Sequence, residues 1–288
     1  MLSIAALAVL ASFGLYLSIW GSSSPDRGAG GIVPQTLYAS LNAAAVGPYG
    51  RPNSSYSINF NGINAQPYYV GSRPIVVYIG GDFCGLCAAA RWPLVIALMR
   101  FGEFTNLHLM ASSEKDQYPN VSSFTFYGGE YASRYVVFEG YEVWNRNGQD
   151  QLTLPSNYTA DWKQANQSIP FLTFGDQYIM RGIFSPSALY GRSWTDIVSL
   201  ISSGTGVGRV IKEVANAISA AICAVDGGVP TEVCTNSAVS GFILIGRSAP
   251  GVINVSSLAG GSWISSISYS QRRTPTEVRH NIRTTLLS

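Results

Sequence analysis

The longest uninterrupted apolar stretch comes first in the chain. Leu2 to Trp20 is a run of nineteen residues without a charge, long enough to cross a bilayer as a helix. Read as a retained anchor, it holds the rest of the chain at a membrane. A cleaved signal peptide is the main rival, and a buried soluble helix is a third reading. Two absences stand against cleavage: no basic stretch precedes the run beyond the terminal amine, and no clear small-x-small site follows Trp20. Residues 21–34 (GSSSPDRGAGGIVP) read as a flexible tether. Gln35 to Val46 reads as a short helix, and Arg51 to Tyr69, rich in Asn, Ser, Tyr and Gly, as an irregular or short-stranded lead-in.

The pattern then sharpens. Pro74 to Gly80 (PIVVYIG) is a short β-branched run of the kind that forms a buried strand. Gly81-Asp82-Phe83 reads as a turn, and Cys84 to Phe101 (CGLCAAARWPLVIALMRF) carries helix formers with an apolar face. Leu107 to Ala111, Ser122 to Tyr127 and Tyr135 to Trp144 read as further strands, the last with alternating aromatic and polar positions. Pro170 to Phe174 and Tyr178 to Phe184 flank Gly175-Asp176-Gln177, a hairpin signal. Trp194 to Ile201 reads as a helix capped by Ser193 or Thr195, and Val210 to Val225 as another. Beyond about Thr235 the pattern fades. This gives segments at 1–20 (anchor or signal), 21–66 (tether and lead-in), 67–240 (a folded α/β domain) and 241–288 (a peripheral or poorly ordered tail).

Composition narrows the setting. Only 12% of residues are charged, roughly half the usual share. Tyr, Ser, Asn and Gly stand where Lys and Glu are usual, giving a surface that stays polar without ionisation. The net charge is +2 and the basic residues are scattered, which argues against nucleic acid as a partner. Five N-x-S/T sequons, at Asn53, Asn120, Asn157, Asn166 and Asn254, are compatible with a glycosylated, exported domain.

The chemistry centres on the four cysteines, an even count compatible with an oxidising compartment. Cys84-Gly85-Leu86-Cys87 stands at the start of a helix, where unpaired N–H groups and the helix dipole favour a thiolate. Cys84 is thereby the expected nucleophile, more exposed and more acidic than Cys87, which lies one turn on as the resolving thiol. Half of a zinc site and a plain structural disulfide are the alternatives. Zinc is disfavoured because Cys223 and Cys234 have the wrong spacing and His108 and His280 are isolated. Cys223 and Cys234 are expected to form a structural disulfide, since the first ends a helix and Gly227, Gly228 and Pro230 let the chain turn back. Two separate buried thiols are the alternative. Arg91 shares a helix face with Cys84 and Cys87 at i, i+3, i+7 spacing. Its cation either supports the thiolate or forms an ion pair with its stem packed on the core. Trp92 and His108 read as structural.

PIVVYIGGDFCGLC with its following helix, and much later SIPFLTFGDQYIMRGIF, resemble the thioredoxin superfamily over roughly residues 70–205. CAAARWPLVIALMRFG is similar to a group of uncharacterised membrane-anchored archaeal thioredoxin-like proteins, which tend to carry a later cysteine pair. The resemblance implies an α/β thioredoxin-like fold with insertions. It also implies a cis Ile169–Pro170 bond facing the cysteines, substrate backbone pairing at Ile169 and Pro170, and a glycine on the last strand at Gly182. Three positions depart from the family pattern. Tyr78 stands where a buried acid is usual, Phe83 replaces Trp, and Pro93 lies one residue late. The expected activity is extracytoplasmic thiol–disulfide exchange on cysteines of exported proteins, without an organic cofactor or metal, and with a membrane redox partner as a possible electron source. A non-catalytic scaffold and a Cu(I)-delivery protein are the alternatives. Tyr78 in place of the acid points to an oxidant or isomerase, with a potential between about −270 and −120 mV.

Overall fold

The computed structural model describes residues 30–50, 58–63, 67–181 and 183–242. The apolar run Leu2–Trp20, the sequons at Asn53 and Asn254, Gly182 and residues 243–288 lie outside the described residues. Among the described residues, no helix is long and apolar enough to cross a membrane.

The chain is a mixed α/β structure organised around one strand. β3 (Arg73–Gly81) is buried along nearly its whole length. Its alternation sends Val76 and Tyr78 into a large core and Ile75, Val77 and Ile79 into a smaller one on the other face. β8 (Val137–Trp144) runs parallel to β3, with Tyr78 opposite Gly140. β9 (Phe171–Phe174) runs antiparallel on the other side, with Ile79 opposite Phe171. β10 (Tyr178–Arg181) continues the hairpin, and β1 (Asn59–Gly62) pairs antiparallel with β10. A two-residue strand, β2 (Tyr69–Val70), pairs with the start of β3. Two antiparallel ribbons stand apart: β4 (Glu103–Thr105) with β7 (Glu130–Ala132), and β5 (His108–Ala111) with β6 (Ser122–Thr125).

Helices cover both sheet faces, as a sheet with two apolar faces requires. On the larger core lie α1 (Gln35–Val46), α2 (Gly85–Leu98), α4 (Trp194–Ser203) and α5 (Gly206–Val225). On the smaller core lies α3 (Ser156–Gln164), which buries Tyr158 and Trp162 at i, i+4 spacing. A 3-10 turn (Pro186–Leu189) precedes α4, and two short helices, α6 (Thr231–Cys234) and α7 (Ser237–Ser240), follow α5. Ser193 caps α4 in a reciprocal box with Asp196. α5 begins earlier than its apolar period indicates. Gly208 packs directly on the Leu200–Ile201 backbone, where any side chain would collide.

The change in composition near residue 67 is not a boundary in packing. Leu37, Leu41, Ala44, Ala45 and Phe60 belong to the same core cluster as α2 and α5. The chain leaving α1 is also tied down by polar groups. Arg100 Nε donates to Ala45 O at 3.1 Å, Lys212 Nζ to Pro48 O at 2.7 Å and Asn216 Nδ2 to Tyr49 O at 3.1 Å. These donors satisfy carbonyls at and just beyond a helix C-terminus, where cations are favoured. Arg100 also lies 3.8 Å above the Tyr49 ring. α1 and β1, which fall within the 21–66 segment read as tether and lead-in, thus contribute to the core. The sequons divide as well. Asn157 and Asn166 are exposed, whereas Asn120 accepts from Arg146 and its Ser122 is fully buried.

Candidate thiol site

β3 ends at Gly81, and the turn Asp82-Phe83 carries the chain to Cys84, the N-cap residue of α2. An N-cap side chain normally offers oxygen to the first-turn N–H groups. Here the acceptor is sulfur: Cys87 N–H donates to Cys84 Sγ at 3.1 Å. Both thiols are free, but their surroundings differ. Cys84 is 6% exposed and Cys87 fully buried. The Cys84 pKa is lowered, chiefly by the hydrogen bond from the Cys87 thiol, with further help from the Cys87 N–H and the Arg91 charge. Burial and Asp116 act against this lowering. The Cys87 pKa is pushed well above the ordinary thiol value by burial, by its hydrogen bond to Cys84 and by the nearby Glu142. The two shifts run in opposite directions, so Cys84 is the more acidic of the pair and Cys87 the one that holds its proton.

Beneath the sulfurs lies a charge cluster that the sequence pattern did not reveal. Arg91 is fully buried and forms a bidentate pair with Glu142 of β8, at 2.8 Å from Nε and 2.6 Å from Nη2. Nη2 also donates to Gly81 O at 2.9 Å and lies 3.6 Å from Asp82 Oδ1. Asp82, read as a turn residue, is 2% exposed and accepts from Gln151 at 3.0 Å. The guanidinium stands 5.7 Å from the centre of the Tyr78 ring. Burial pushes the Glu142 pKa up to about 7, although Arg91 pulls it down. Arg91 is thus an ion-pair residue in the core, and its charge also reaches Cys84. Two buried carboxylates, Asp82 after the strand and Glu142 on the parallel neighbour, thus lie beside Arg91.

A loop closes over the start of α2. Asp116 Oδ1 accepts from Gly85 N at 3.1 Å and from Tyr118 N at 2.8 Å. Leu86 in the first turn of α2 is 39% exposed, and the exposed Tyr190 ring lies 6.3 Å from Tyr118 of the loop.

Pro170 leads into β9 at the sheet end where Gly81 leaves β3, since Phe171 pairs with Ile79. Ile169 and Pro170 therefore lie at the same end of the sheet as the cysteines, and their peptide bond is cis. Cys223 and Cys234 are joined in a disulfide. They belong to the opposite end, where Val225 of α5 packs on Gly175 of the β9–β10 turn and accepts from Tyr69. Cys223, Asp226 and Cys234 are the one group of potential metal ligands among the described residues, but the two sulfurs are already bonded to each other. Trp92 is fully buried and donates to Ser122 O, and His108 sits in the β5–β6 ribbon.

Residues 59–153 match a family model described as a domain of unknown function, DUF929. The matched stretch runs from β1 to just past β8. It contains Cys84, Cys87, Arg91, Asp116 and Glu142, and ends before Pro170 and the second cysteine pair. No curated protein and no solved structure matches the chain.

Proposed function

We propose that this chain is a thioredoxin-like thiol–disulfide oxidoreductase acting outside the cytoplasm on cysteines of exported proteins. The observation that carries the reading is the asymmetry of the Cys84–Cys87 pair. One sulfur caps a helix and is acidified, and the other is fully buried and held protonated. The arrangement around it supports the same reading: a central strand ending in the C-x-x-C, a parallel neighbour, an antiparallel hairpin entered through Pro170, and helices on both faces. The Leu2–Trp20 run and the Cys223–Cys234 bond support an oxidising, extracytoplasmic setting.

The exchange balances as follows when a substrate disulfide is reduced. The Cys84 thiolate attacks one substrate sulfur, the substrate S–S bond breaks, and the departing sulfur takes a proton. Cys87 then gives up its proton and attacks the Cys84 sulfur. The mixed disulfide breaks, the second substrate thiol leaves, and the pair has lost two electrons to the substrate. Glu142, titrating near neutrality and close enough for its charge to bear on Cys87, is the group suited to take that proton. Substrate oxidation runs the same steps in reverse. The buried acids remove the argument that Tyr78 disfavours reduction, so both directions are open to this site.

The test is kinetic trapping in the full chain. Cys87→Ser should accumulate mixed disulfides that dithiothreitol releases, and Cys84→Ser should not. Complexes in Cys84→Ser alone, or in neither variant, would overturn the assignment.

A further inference from the structure

We infer that Asp116 tunes the redox poise of the cysteine pair, because its carboxylate and the Cys84 sulfur occupy the same helix N-terminus. The inference rests on the oxidoreductase reading of the site. The first turn of α2 has few free N–H groups to offer, and two anions draw on them. Gly85 N donates to Asp116 Oδ1 and Cys87 N to Cys84 Sγ, each at 3.1 Å. A carboxylate so placed takes part of the dipole's stabilisation from the thiolate and adds a like charge beside it.

The placement of Asp116 is built into the loop. Ser113 N donates to Phe83 O at 2.9 Å, Asp116 N to Ser113 O at 3.2 Å, and Ser112 Oγ to Tyr118 O at 2.7 Å. Tyr190 OH donates to Gln117 O at 3.3 Å. Position 85 must be glycine for this loop to sit where it does. A Cβ there would lie 2.5 Å from Tyr118 Cβ and 2.8 Å from Asp116 Oδ1. The charged and titratable groups bearing on the Cys84 sulfur include Cys87 and Arg91 from α2, Asp116 from the loop and Tyr78 from β3.

The redox consequence follows from which form carries charge. Reducing the disulfide takes two electrons and one proton and leaves Cys87 as the thiol and Cys84 as the sulfur that carries thiolate charge, whereas the disulfide itself carries none. A neighbouring carboxylate therefore raises the energy of the reduced form alone, and the pair becomes a stronger reductant. Asp116 touches neither substrate nor sulfur by hydrogen bond. It acts through the helix terminus that it shares.

Asp116→Asn keeps an oxygen acceptor for both N–H donors and removes the charge. Two readouts are taken on the full chain: equilibration in glutathione buffers scored by Cys84 alkylation, and the pH midpoint of Cys84 alkylation in the reduced protein. The expected shift is about tenfold towards the dithiol, or about 30 mV for a two-electron couple, with the alkylation midpoint moving to lower pH. Asp116→Ser, also neutral and able to cap, should move both readouts the same way. Glu114→Gln changes the net charge equally from an exposed position and should change either readout by less than about twofold. The inference is overturned if both Asp116 variants leave the readouts unmoved, if they shift them the other way, or if Glu114→Gln matches them. If the wild-type pair never equilibrates with glutathione, the oxidoreductase reading fails, while the alkylation midpoints still decide the role of Asp116.

Discussion

Substitution of the buried Arg91–Glu142 pair should destabilise the fold in a pH-dependent way. Arg91→Met keeps the apolar stem but strands a fully buried carboxylate. Breaking such a pair by removing one partner costs about 3–5 kcal/mol. Glu142 already sits at about 7 with Arg91 beside it, against 4.5 for an ordinary glutamate. That raised value fixes the sign. The folded state holds a proton that the unfolded chain releases between pH 4.5 and 7, so this group's contribution is fully present below pH 4.5 and is lost as pH rises through 7. The gap in pKa corresponds to roughly 3 kcal/mol. Without Arg91 the Glu142 pKa rises further, so the variant's deficit should be large at pH 8. At pH 5.5 it should shrink to that of a poorly paired neutral carboxyl, about 1–3 kcal/mol. Arg91→Met with Glu142→Leu removes both charges of the pair and leaves Asp82 as the carboxylate without its cation, so it should recover part of the loss seen in Arg91→Met at pH 8. Urea unfolding of the reduced proteins at the two pH values measures all of this, provided the m-values agree. Equal destabilisation of Arg91→Met at both pH values would refute the reasoning. So would a double variant as unstable as the single one.

Two further outcomes follow from particular contacts. Gly85→Ala would normally favour a helix by up to about 1 kcal/mol. Here its Cβ meets Tyr118 at 2.5 Å, so the net effect should be a loss of about 1–3 kcal/mol with faster alkylation of Cys84 as the loop is displaced. Unchanged stability and alkylation would mean that the loop does not press on the helix. Arg100→Met removes the donors to Ala45 O and Ser219 Oγ and the stacking on Tyr49. It should lower stability by about 1–3 kcal/mol and speed hydrogen exchange in Gln35–Val46; exchange confined to its wild-type rate would show that α1 does not depend on this cap.

Much of the framework was legible because single segments carried it. The PIVVYIG run, the C-x-x-C before an Ala-rich stretch, and the Gly175-Asp176-Gln177 turn each read correctly from local pattern. Gly175 and Asp176 do adopt left-handed backbone. Ser193 caps α4 as its position implied. What escaped was either short or assembled from distant segments. β4 and β7 are three residues each, too brief to show a period. α3 buries only Tyr158 and Trp162 among its described side chains, so its apolar face is too brief to show a period. Glu142 lies in an alternating strand beside Glu139, and nothing local distinguishes the buried acid from the partly exposed one. The usable signal was Arg91. A charge in the middle of an apolar helix needs a counter-charge, and β8 was the strand with acids to offer. Asp116 left no such trace, because its role depends on a loop returning to a helix start more than thirty residues earlier in the chain.

The scarcity of charge makes these few residues count. With 12% of residues charged, the potential at the cysteines is not an average over many surface groups. α2 contributes one cation, Arg91, and no acid in its first turn. The cation is neutralised by Glu142 on the side of the buried thiol, while Asp116 approaches from the side of the capping thiol. On the proposed reading, the two carboxylates act chiefly on different sulfurs. Glu142 bears on the proton of Cys87 and so on the resolving step. Asp116 bears on the thiolate of Cys84 and so on the equilibrium between dithiol and disulfide. Neutralising Glu142 should slow release of a trapped partner, whereas neutralising Asp116 should shift the redox equilibrium. On the oxidoreductase reading, a slower release with Glu142→Gln and a shifted equilibrium with Asp116→Asn would assign the two acids to different sulfurs, whereas a change in both quantities for each variant would show that they act on the pair together.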